Sequence, residues 1–435
     1  MASSLSAIAK AKKIKYFLVS FVDLFGHLRS KLVPTRAIDG MHKDGAGFAG
    51  FAAWLDMTPA DPDMFGKPDA SSLIQLPWNK EVAWLASDLW MDGKEVEASP
   101  RVILKKQLQA SIRKGYRMKT GVECEYFLTS LDGSELSDDK DAQSKPCYDQ
   151  QALMRRYPVI KEICDYMLEL GWGPYQNDHE DANGQFEMNW DYDDALKTAD
   201  RHVFFKYMVK TVAEKHGFRA TFMPKPFAHL TGNGCHTHVS VWDKTGKKNL
   251  FLNKRDDLGI SKLAYDFLGG VMNSAVGLCA IFNPTVNSYK RINAPVTSSG
   301  ATWSPNAVTY SGNNRTHMVR VPEAGRFEIR LMDGAVNPYL GQAAILAAGL
   351  DGVAKKRNPG KPLHINMYTE GHKAGDAPRL PLNLLDALRL LEKNEVIKSA
   401  WGNNTIQSYV KLKMMEWNDY SSQLSDWERA NTLDC

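Results

Sequence analysis

The chain of 435 residues is predicted to have an α+β fold with a curved, mostly antiparallel sheet. Segments with the period of a strand outnumber segments with the period of a helix, so the two do not alternate as in a doubly wound fold. The connections are long and rich in Gly, Pro and Asn, notably residues 290–314. The composition, 43% apolar and 24% charged, is that of a globular protein and excludes a disordered chain.

The N-terminal part of the chain, up to about residue 98, predicts a small β-rich unit. Its first two strands are residues 17–23 and 28–34, and Gly26 lies at the turn of the hairpin between them. A helix begins at Pro100, because proline suits the first helical position and an apolar stripe follows it. We place the domain boundary at this helix. The expected domains are residues 1–100 and 101–435.

Strand and helix patterns mix along the remaining 300 residues. The most apolar stretch, residues 267–282, is broken by Gly and Asn and is too short and mixed to span a membrane. Two strands are expected at residues 218–223 and 318–321. The predicted helices span roughly residues 159–170, 193–216, 261–280, 338–354 and 382–393.

Four further strand segments share one pattern, with apolar residues on alternate positions and Glu, His or Arg residues on many of the positions between. Since side chains alternate across a strand, each segment turns its apolar set one way and its charged or imidazole set the other. A sheet face built in this way suits divalent cations and an anionic substrate. The segments are Val122 to Tyr126, Phe186 to Trp190, Cys235 to Ser240 and Phe327 to Leu331.

Two pairs of glutamates are candidate metal ligands. Glu123 and Glu125 are two apart on one strand, so their carboxylates lie roughly 7 Å apart. At that distance two charges repel by about 2–3 kcal/mol, which favours a cation between them. Glu180 and Glu187 form the second pair, because a turn at Gly184 would bring a loop carboxylate beside a strand carboxylate. A solvated acidic surface is the alternative interpretation of both pairs.

Two histidines, His236 and His238, lie on one strand face behind Gly232 and Gly234. The glycines would let a ligand approach the backbone, although core histidines are the alternative. Oxygen ligands with one or two imidazoles suit Mg²⁺ or Mn²⁺ better than a structural Zn²⁺ site.

Five arginines fall within 40 residues, and Lys290 is the only lysine from residue 290 to residue 330. Arginine without lysine indicates fork-like recognition of carboxylate or phosphate, and a solvated surface is the alternative. The five are Arg291, Arg315, Arg320, Arg326 and Arg330.

Several function classes are disfavoured. The net charge of +4 is spread along the chain, which argues against nucleic acid as a partner. No P-loop, dinucleotide fingerprint or nucleophile elbow is present, so bound nucleotide phosphates would need metals and arginines. Six cysteines without C-x-x-C spacing fit reduced thiols and a cytoplasmic location. The basic cluster 10–15 leaves a transit peptide open.

Taken in order, these segments resemble the glutamine synthetase family across nearly the whole chain. The sequence of residues 178–187 is most similar to that of the type III glutamate–ammonia ligase branch, which includes γ-glutamylmethylamide synthetases. The motifs that carry the resemblance are Gly121 to Phe127, His179-Glu180 with Gly184-Gln185 and Glu187, Lys225-Pro226 with Gly232 to His238, Asn283 to Arg291, Asn314 to Pro322, and Arg326 to Arg330 with Asn337 to Tyr339.

The resemblance implies an N-terminal β-grasp domain, a catalytic domain with a barrel-like sheet, and a dodecamer of two stacked hexameric rings with active sites between neighbouring subunits. It implies ligation of ammonia to the γ-carboxylate of L-glutamate, with ATP as co-substrate and a γ-glutamyl phosphate intermediate. It assigns Glu125, Glu180 and Glu187 to one Mg²⁺ or Mn²⁺ and Glu123, His236 and Glu328 to another. It assigns Gly232, Arg291 and Arg330 to glutamate, Arg315, Arg320 and Arg326 to the phosphates, and His238 and Ser240 to the nucleotide, with Arg315 and Arg291 as the catalytic arginines.

The chain departs from this family where ammonium is bound. Ammonia-using members carry an acidic residue after the Arg291 motif, yet no Asp or Glu occurs from Ile292 to Asn314. Ala49 stands near the expected aspartate of the N-terminal loop, although Asp44 or Asp56 could serve instead. A less acidic pocket favours methylamine or another small amine as the alternative substrate. A polyamine ligase and a non-catalytic assembly protein are further alternatives.

Overall fold

The computed structural model describes residues 4–435 and has the predicted α+β fold. In that part of the chain there are 17 strands and 13 α-helices. The strands are β1 Tyr16–Val22, β2 Leu28–Pro34, β3 Ala46–Phe48, β4 Met64–Pro68, β5 Ile74–Gln75, β6 Val82–Met91, β7 Lys94–Glu95, β8 Tyr116–Cys124, β9 Tyr126–Thr129, β10 Pro174–His179, β11 Gln185–Trp190, β12 Asp193–Asp194, β13 Arg219–Thr221, β14 Cys235–Asp243, β15 Tyr310–Ser311, β16 Val319–Arg320 and β17 Phe327–Ile329.

The helices include the six that the sequence predicts, and the ends expected for them lie within about two residues of those observed. They are α1 Leu5–Lys12, α2 Ile38–Asp44, α3 Pro100–Arg113, α4 Gln150–Arg155, α5 Tyr157–Glu169, α6 Ala195–Lys215, α7 Lys262–Phe282, α8 Pro338–Lys355, α9 Met367–Glu370, α10 Leu384–Glu392, α11 Glu395–Trp401, α12 Asn403–Ser421 and α13 Asp426–Thr432.

The first sheet lies wholly before residue 96 and has the strand order β2-β1-β6-β4-β3, with β5 and β7 also paired to β6. The predicted hairpin is confirmed, because β1 and β2 pair antiparallel and Gly26 takes a φ of +85°. One face packs with α1 around Phe17 and Leu85. The other face, with Trp84, joins the main core of the chain. Since the two parts share a core there, the division into domains stays a prediction.

Two further sheets form the wall that carries the functional residues. Their strand orders are β12-β8-β14-β17-β16-β15 and β10-β11-β9-β13. All pairs are antiparallel except β15 with β16, which confirms the predicted mostly antiparallel sheet. The chain passes from the first of these sheets to the second at Glu125, between β8 and β9. Together they form a nearly closed, barrel-like wall.

Helix α7 is the one helix, among residues 4–435, with the length and composition of a membrane span. Of its most apolar window, 78% is buried inside the protein. It packs most extensively on α8 and α10. Its apolar surface is therefore accounted for by the core.

Candidate active site

Strand register brings the predicted metal ligands of three segments onto one sheet face. Glu123 on β8 pairs with His236 on β14. His238, two residues along, pairs with Glu328 on β17. Glu328 in turn pairs with Arg320 on β16. Residues that face each other in an antiparallel pair lie on the same side of the sheet, so these five side chains share one surface.

The imidazole of His236 lies among three carboxylates. Its Nδ1 is 3.5 Å from Glu123 Oε2, 3.8 Å from Glu125 Oε1 and 3.7 Å from Glu328 Oε1. Its Nε2 is buried and has no hydrogen-bond partner among the described residues. Burial and the charge of Arg330 lower the pKa of His236, which keeps the ring neutral, as a metal-binding imidazole must be.

The position of Glu125 is set by the glycine motif on β14. Its Oε2 accepts hydrogen bonds from the N–H of Gly234 at 2.6 Å and from Gln185 Nε2 at 3.2 Å. A Cβ on residue 234 would lie 2.6 Å from His236 Nε2, closer than two such atoms can approach. Only glycine fits there, so the motif lets backbone, carboxylate and imidazole meet.

A second acidic group lies around the turn between β10 and β11. Gly184 adopts a φ of +72°, which allows the tight turn that the sequence predicts. Burial and the neighbouring carboxylates raise the pKa of both Glu180 and Glu187 well above the ordinary carboxyl value. Neither residue has an ion-pair partner in the part of the chain that the structure describes. A bound cation would stabilise the ionised form of these two carboxylates.

The ligand atoms fall into three overlapping groups rather than the two predicted sets. Asp178 joins them, a residue that was not predicted as a ligand from the sequence. It lies on β10, two residues before Glu180, which directly follows that strand, and this spacing could have revealed it. Glu123 and Glu187 each belong to two groups. Within 4.8 Å of one another are ligand atoms of Glu123, Glu187 and His236, of Glu123, His238 and Glu328, and of Asp178, Glu180 and Glu187. Which residues share an ion stays a prediction.

The arginines compensate part of this negative charge. Arg330 forms an ion pair with Glu328, and Arg320 Nη1 lies 2.9 Å from the other oxygen of the same carboxylate. Burial alone would raise the pKa of Glu328, but Arg330 and His236 hold it at about 2. Arg326 donates a hydrogen bond to His238 Nδ1. Arg315, by contrast, is exposed and forms no ion pair among residues 4–435.

These side chains line two adjacent cavities. The larger, of about 310 Å³, is lined by six carboxylates and by four of the predicted arginines, Arg315, Arg320, Arg326 and Arg330. The smaller, of about 280 Å³, is lined by Ser240, Tyr192 and Trp242 among others. The two share Glu123, Tyr175, Asn189, His238 and Arg326. An anionic group held at this boundary would contact arginine and lie beside the carboxylate groups.

Two of the residues predicted to bind glutamate lie behind the wall of the larger cavity. Arg291 is buried, and its Nη1 donates to the carbonyl of Leu331 at 3.2 Å. The carbonyl of Gly232 accepts from Gln185 Nε2 at 3.2 Å. A Cβ on Gly232 would lie 3.1 Å from Arg291 Cγ, so the two residues pack against each other. Their role as direct glutamate contacts stays a prediction.

Comparison with known proteins agrees with this geometry. The family model described as "Glutamine synthetase, catalytic domain" matches residues 97–432. The chain is 64% identical to a glutamine synthetase of Rhizobium leguminosarum bv. phaseoli, over the full length of both chains. It is 43% identical to a glutamate–methylamine ligase of Methyloversatilis universalis, over 98% of this chain and 97% of the relative.

Solved structures give the same result. A structure described as a GmaS/ADP complex superposes with a TM-score of 0.96 at 62% identity, and one described as apo GmaS with a TM-score of 0.95 at 60% identity. Both comparisons cover all of both chains. The predicted family and fold are confirmed: this chain belongs to the glutamine synthetase family of ATP-dependent carbon–nitrogen ligases.

Proposed function

We propose that this chain uses ATP to convert the γ-carboxylate of L-glutamate into a γ-glutamyl phosphate, and then joins the γ-glutamyl group to ammonia. The observation that carries the proposal is the boundary between the two cavities, where carboxylates, imidazole and arginine meet. Glutamate and a triphosphate repel each other, so the transfer needs a site that holds both anions and offsets their charge. The paired cavities supply that arrangement.

The donor set fits Mg²⁺ or Mn²⁺. Carboxylate oxygens with one or two imidazoles suit these hard cations, and the unpaired acidic group around Glu187 needs positive charge. Two or more bound ions would polarise the transferring phosphoryl group and offset its negative charge. The residues that would hold them are Glu123, Glu125, Glu180, Glu187, His236 and Glu328, with Asp178 as an addition from the structure.

The two cavities suggest where each substrate binds. The nucleotide would occupy the smaller one, with Ser240 in its wall and His238 and Arg326 at its inner end. Lys119 lies 4.4 Å from the ring centre of Trp242 there, which supplies a cation and an aromatic surface for a nucleotide. Glutamate would occupy the larger cavity beside Arg330. Gly232 and Arg291 would shape that binding site from behind its wall.

The activity is tested by measuring ADP formation with Mg²⁺ or Mn²⁺, with and without glutamate and amine. A ligase should require all three substrates and release one phosphate for each amide formed. ATP turnover that ignores glutamate and amine, or no turnover at all, would instead favour the non-catalytic assembly protein.

Methylamine is the second candidate substrate. The segment from Ile292 to Asn314 has no acidic residue, and Ala49 stands near the position of a family aspartate. The glutamate–methylamine ligase and the GmaS structures are relatives over nearly the whole chain. On the methylamine hypothesis, we expect kcat/KM for methylamine to exceed that for ammonia in a panel that also contains ethylamine and putrescine. A preference for ammonia would support glutamine synthesis, and a preference for putrescine would support a polyamine ligase.

Arg315 gives a direct test of the phosphate site. Because its guanidinium has no partner among residues 4–435, we expect Arg315→Met to leave the melting temperature unchanged and to lower kcat/KM about 10²–10³-fold. Arg315→Lys should recover part of this loss. Arg255→Met, at an exposed arginine that lines neither cavity, is the matched control. Equal activity of Arg315→Met and the control would contradict the assignment.

We also propose the assembly and organisation that the family implies. The chain would form a dodecamer of two stacked hexameric rings in the cytoplasm, with a β-grasp domain at residues 1–100 and a catalytic domain at residues 101–435. The loop that carries Phe51 and Trp54 would complete the active site of a neighbouring subunit. Both aromatic side chains are exposed in the single chain, Phe51 at 59%, which supports a contact there. Sedimentation of the purified protein tests the assembly.

A further inference from the structure

A buried cluster of two thiols and one imidazole lies in the core, and the proposed reaction does not use it. Cys124 on β8 pairs in register with Cys235 on β14. The backbone N–H of Cys235 donates to the carbonyl of Met332, away from β8, so the two cysteines form a non-hydrogen-bonded pair. In such a pair the side chains approach most closely. His202, on α6, completes the cluster.

The cluster lies on the opposite side of the sheet from the candidate active site. Side chains alternate along a strand, so Cys124 points away from the face that carries Glu123, and Cys235 away from the face that carries His236. Both cysteines are fully buried, and His202 is 1% exposed. None of the three lines either cavity. The cluster is therefore a separate set of donor atoms.

Both sulfur atoms approach the same ring nitrogen. Cys124 Sγ lies 3.3 Å from His202 Nε2, and Cys235 Sγ lies 3.9 Å from it. That nitrogen has either one lone pair or one N–H, so it can form a good hydrogen bond with one thiol but not with two. A metal ion between the three atoms would bond to all of them. Around a tetrahedral ion with bonds of about 2.3 Å to sulfur and about 2.0 Å to nitrogen, these donors lie about 3.5 Å apart, between the two observed distances.

We propose that Cys124, Cys235 and His202 bind one thiophilic cation, Zn²⁺ or Cu⁺, and that each thiol loses its proton on binding. Sulfur with imidazole selects these ions, whereas the carboxylates on the other face of the sheet suit Mg²⁺ or Mn²⁺. No fourth His, Cys, Asp or Glu donor joins the cluster among residues 4–435. Three donors suit Cu⁺, and Zn²⁺ would add a fourth ligand. The ion would fix α6 to β8 and β14 directly behind the active site.

The first test is X-ray absorption spectroscopy at the zinc and copper edges, on protein purified from cells supplied with both metals and then dialysed against a chelator. Ions in the open cavities should be removed, whereas an ion in the cluster should stay because all its protein ligands are buried. We expect about one ion per chain, with two sulfur neighbours at about 2.3 Å and one nitrogen at about 2.0 Å. The edge that shows this pattern identifies the metal. Absence of both metals, or neighbours without sulfur, would overturn the inference.

Cys124→Ala and Cys235→Ala provide the second test. Each removes a ligand, and loss of even an outer-shell partner weakens metal binding about 10–100-fold, so we expect the retained metal to fall at least about 10-fold. Cys279→Ala, at a buried cysteine outside the cluster, is the matched control and should keep the ion, as should Glu187→Gln, which alters only the active site.

Undiminished metal in the folded Cys124→Ala and Cys235→Ala variants would contradict the assignment, and loss of the ion in Glu187→Gln would place it in the active site instead. If neither alanine variant folds, the absorption spectrum of the unmodified protein decides. Metal content is measured without turnover, so an enzyme that forms no amide would refute the proposed function and leave this inference intact.

Discussion

Glu187→Gln is expected to abolish most of the turnover without destabilising the protein. Glu187 is buried among Glu123, Glu180 and Glu125 and has no cationic partner in the described part of the chain, so the folded protein resists its ionisation. Glutamine has the same shape and can still accept the hydrogen bond that Asn189 Nδ2 donates at 2.8 Å. It removes a metal ligand and a repulsive charge together. We expect kcat/KM to fall at least about 10²-fold, since even the residues that only orient ligands contribute 10–100-fold.

The stability of this variant provides the second measurement. The raised pKa of Glu187 means that ionisation opposes folding, and this cost grows as pH rises above the ordinary carboxyl range. In the presence of a metal chelator at pH 8, the melting temperature of Glu187→Gln should therefore equal or exceed that of the unmodified protein. Added Mn²⁺ should raise the melting temperature of the unmodified protein and have less effect on the variant.

Glu392→Gln, at an exposed glutamate with no ion pair among the described residues, is the matched control for Glu187→Gln. It should behave as the unmodified protein in every assay. Full activity of Glu187→Gln at millimolar Mn²⁺ would contradict the metal assignment. Glu328→Ala is a less clear test, because the buried carboxylate of Glu328 pairs with Arg320 and Arg330 and its loss would disturb the fold as well.

The sequence predicts the parts of the site that depend on alternation within a strand. The segments around Glu123, Glu187, His236 and Glu328 all become strands, and the polar set of each faces one wall. The local pattern was sufficient to predict these strands and their polar face, because the apolar residues on the alternate positions pack into the core. Which ligands approach each other was not predictable, because it depends on the register between β8, β14 and β17, strands that are far apart along the chain.

Other elements were missed because their sequences carry weak local signals. Helices α1 and α2 have 8 and 7 residues, too short for a clear helical period. Helix α12 has 19 residues, but its polar residues are spread around it, and it is fixed by contacts with α10 and α11.

Arg101 illustrates an interaction that no local pattern reveals, and its replacement should have the largest effect on stability. Its guanidinium is buried and joins three aspartates from different parts of the fold. Nη2 lies 2.9 Å from Asp69 Oδ2, Nη1 2.8 Å from Asp88 Oδ1, and Nη2 2.9 Å from Asp200 Oδ2. The hydroxyl of Tyr339 donates to Asp200 Oδ1 at 2.7 Å. One side chain therefore ties the first sheet to α3, α6 and α8.

Arg101→Met should destabilise the protein by about 3–5 kcal/mol at pH 7, because it leaves three largely buried carboxylates without their common partner. Burial would raise the pKa of Asp69, but Arg101 and Ser71 lower it from 3.8 to about 2. A carboxylate with a lowered pKa contributes stability above its ordinary pKa, and that contribution is lost as pH falls toward 2. The difference between variant and unmodified protein should therefore be largest at neutral pH and shrink below pH of about 4.

Lys105→Met is the matched control for Arg101→Met, since Lys105 also pairs with Asp88 but its side chain is 27% exposed, so its loss should cost less than about 1 kcal/mol. The measurement is the urea midpoint, followed by circular dichroism and by tryptophan fluorescence between pH 3 and pH 8. Equal midpoints for the two variants would show that the aspartates find other partners or water when Arg101 is absent. A loss that is the same at pH 3 and pH 7 would assign the effect to packing of the arginine side chain, because only the ion pairs depend on the ionisation of the aspartates.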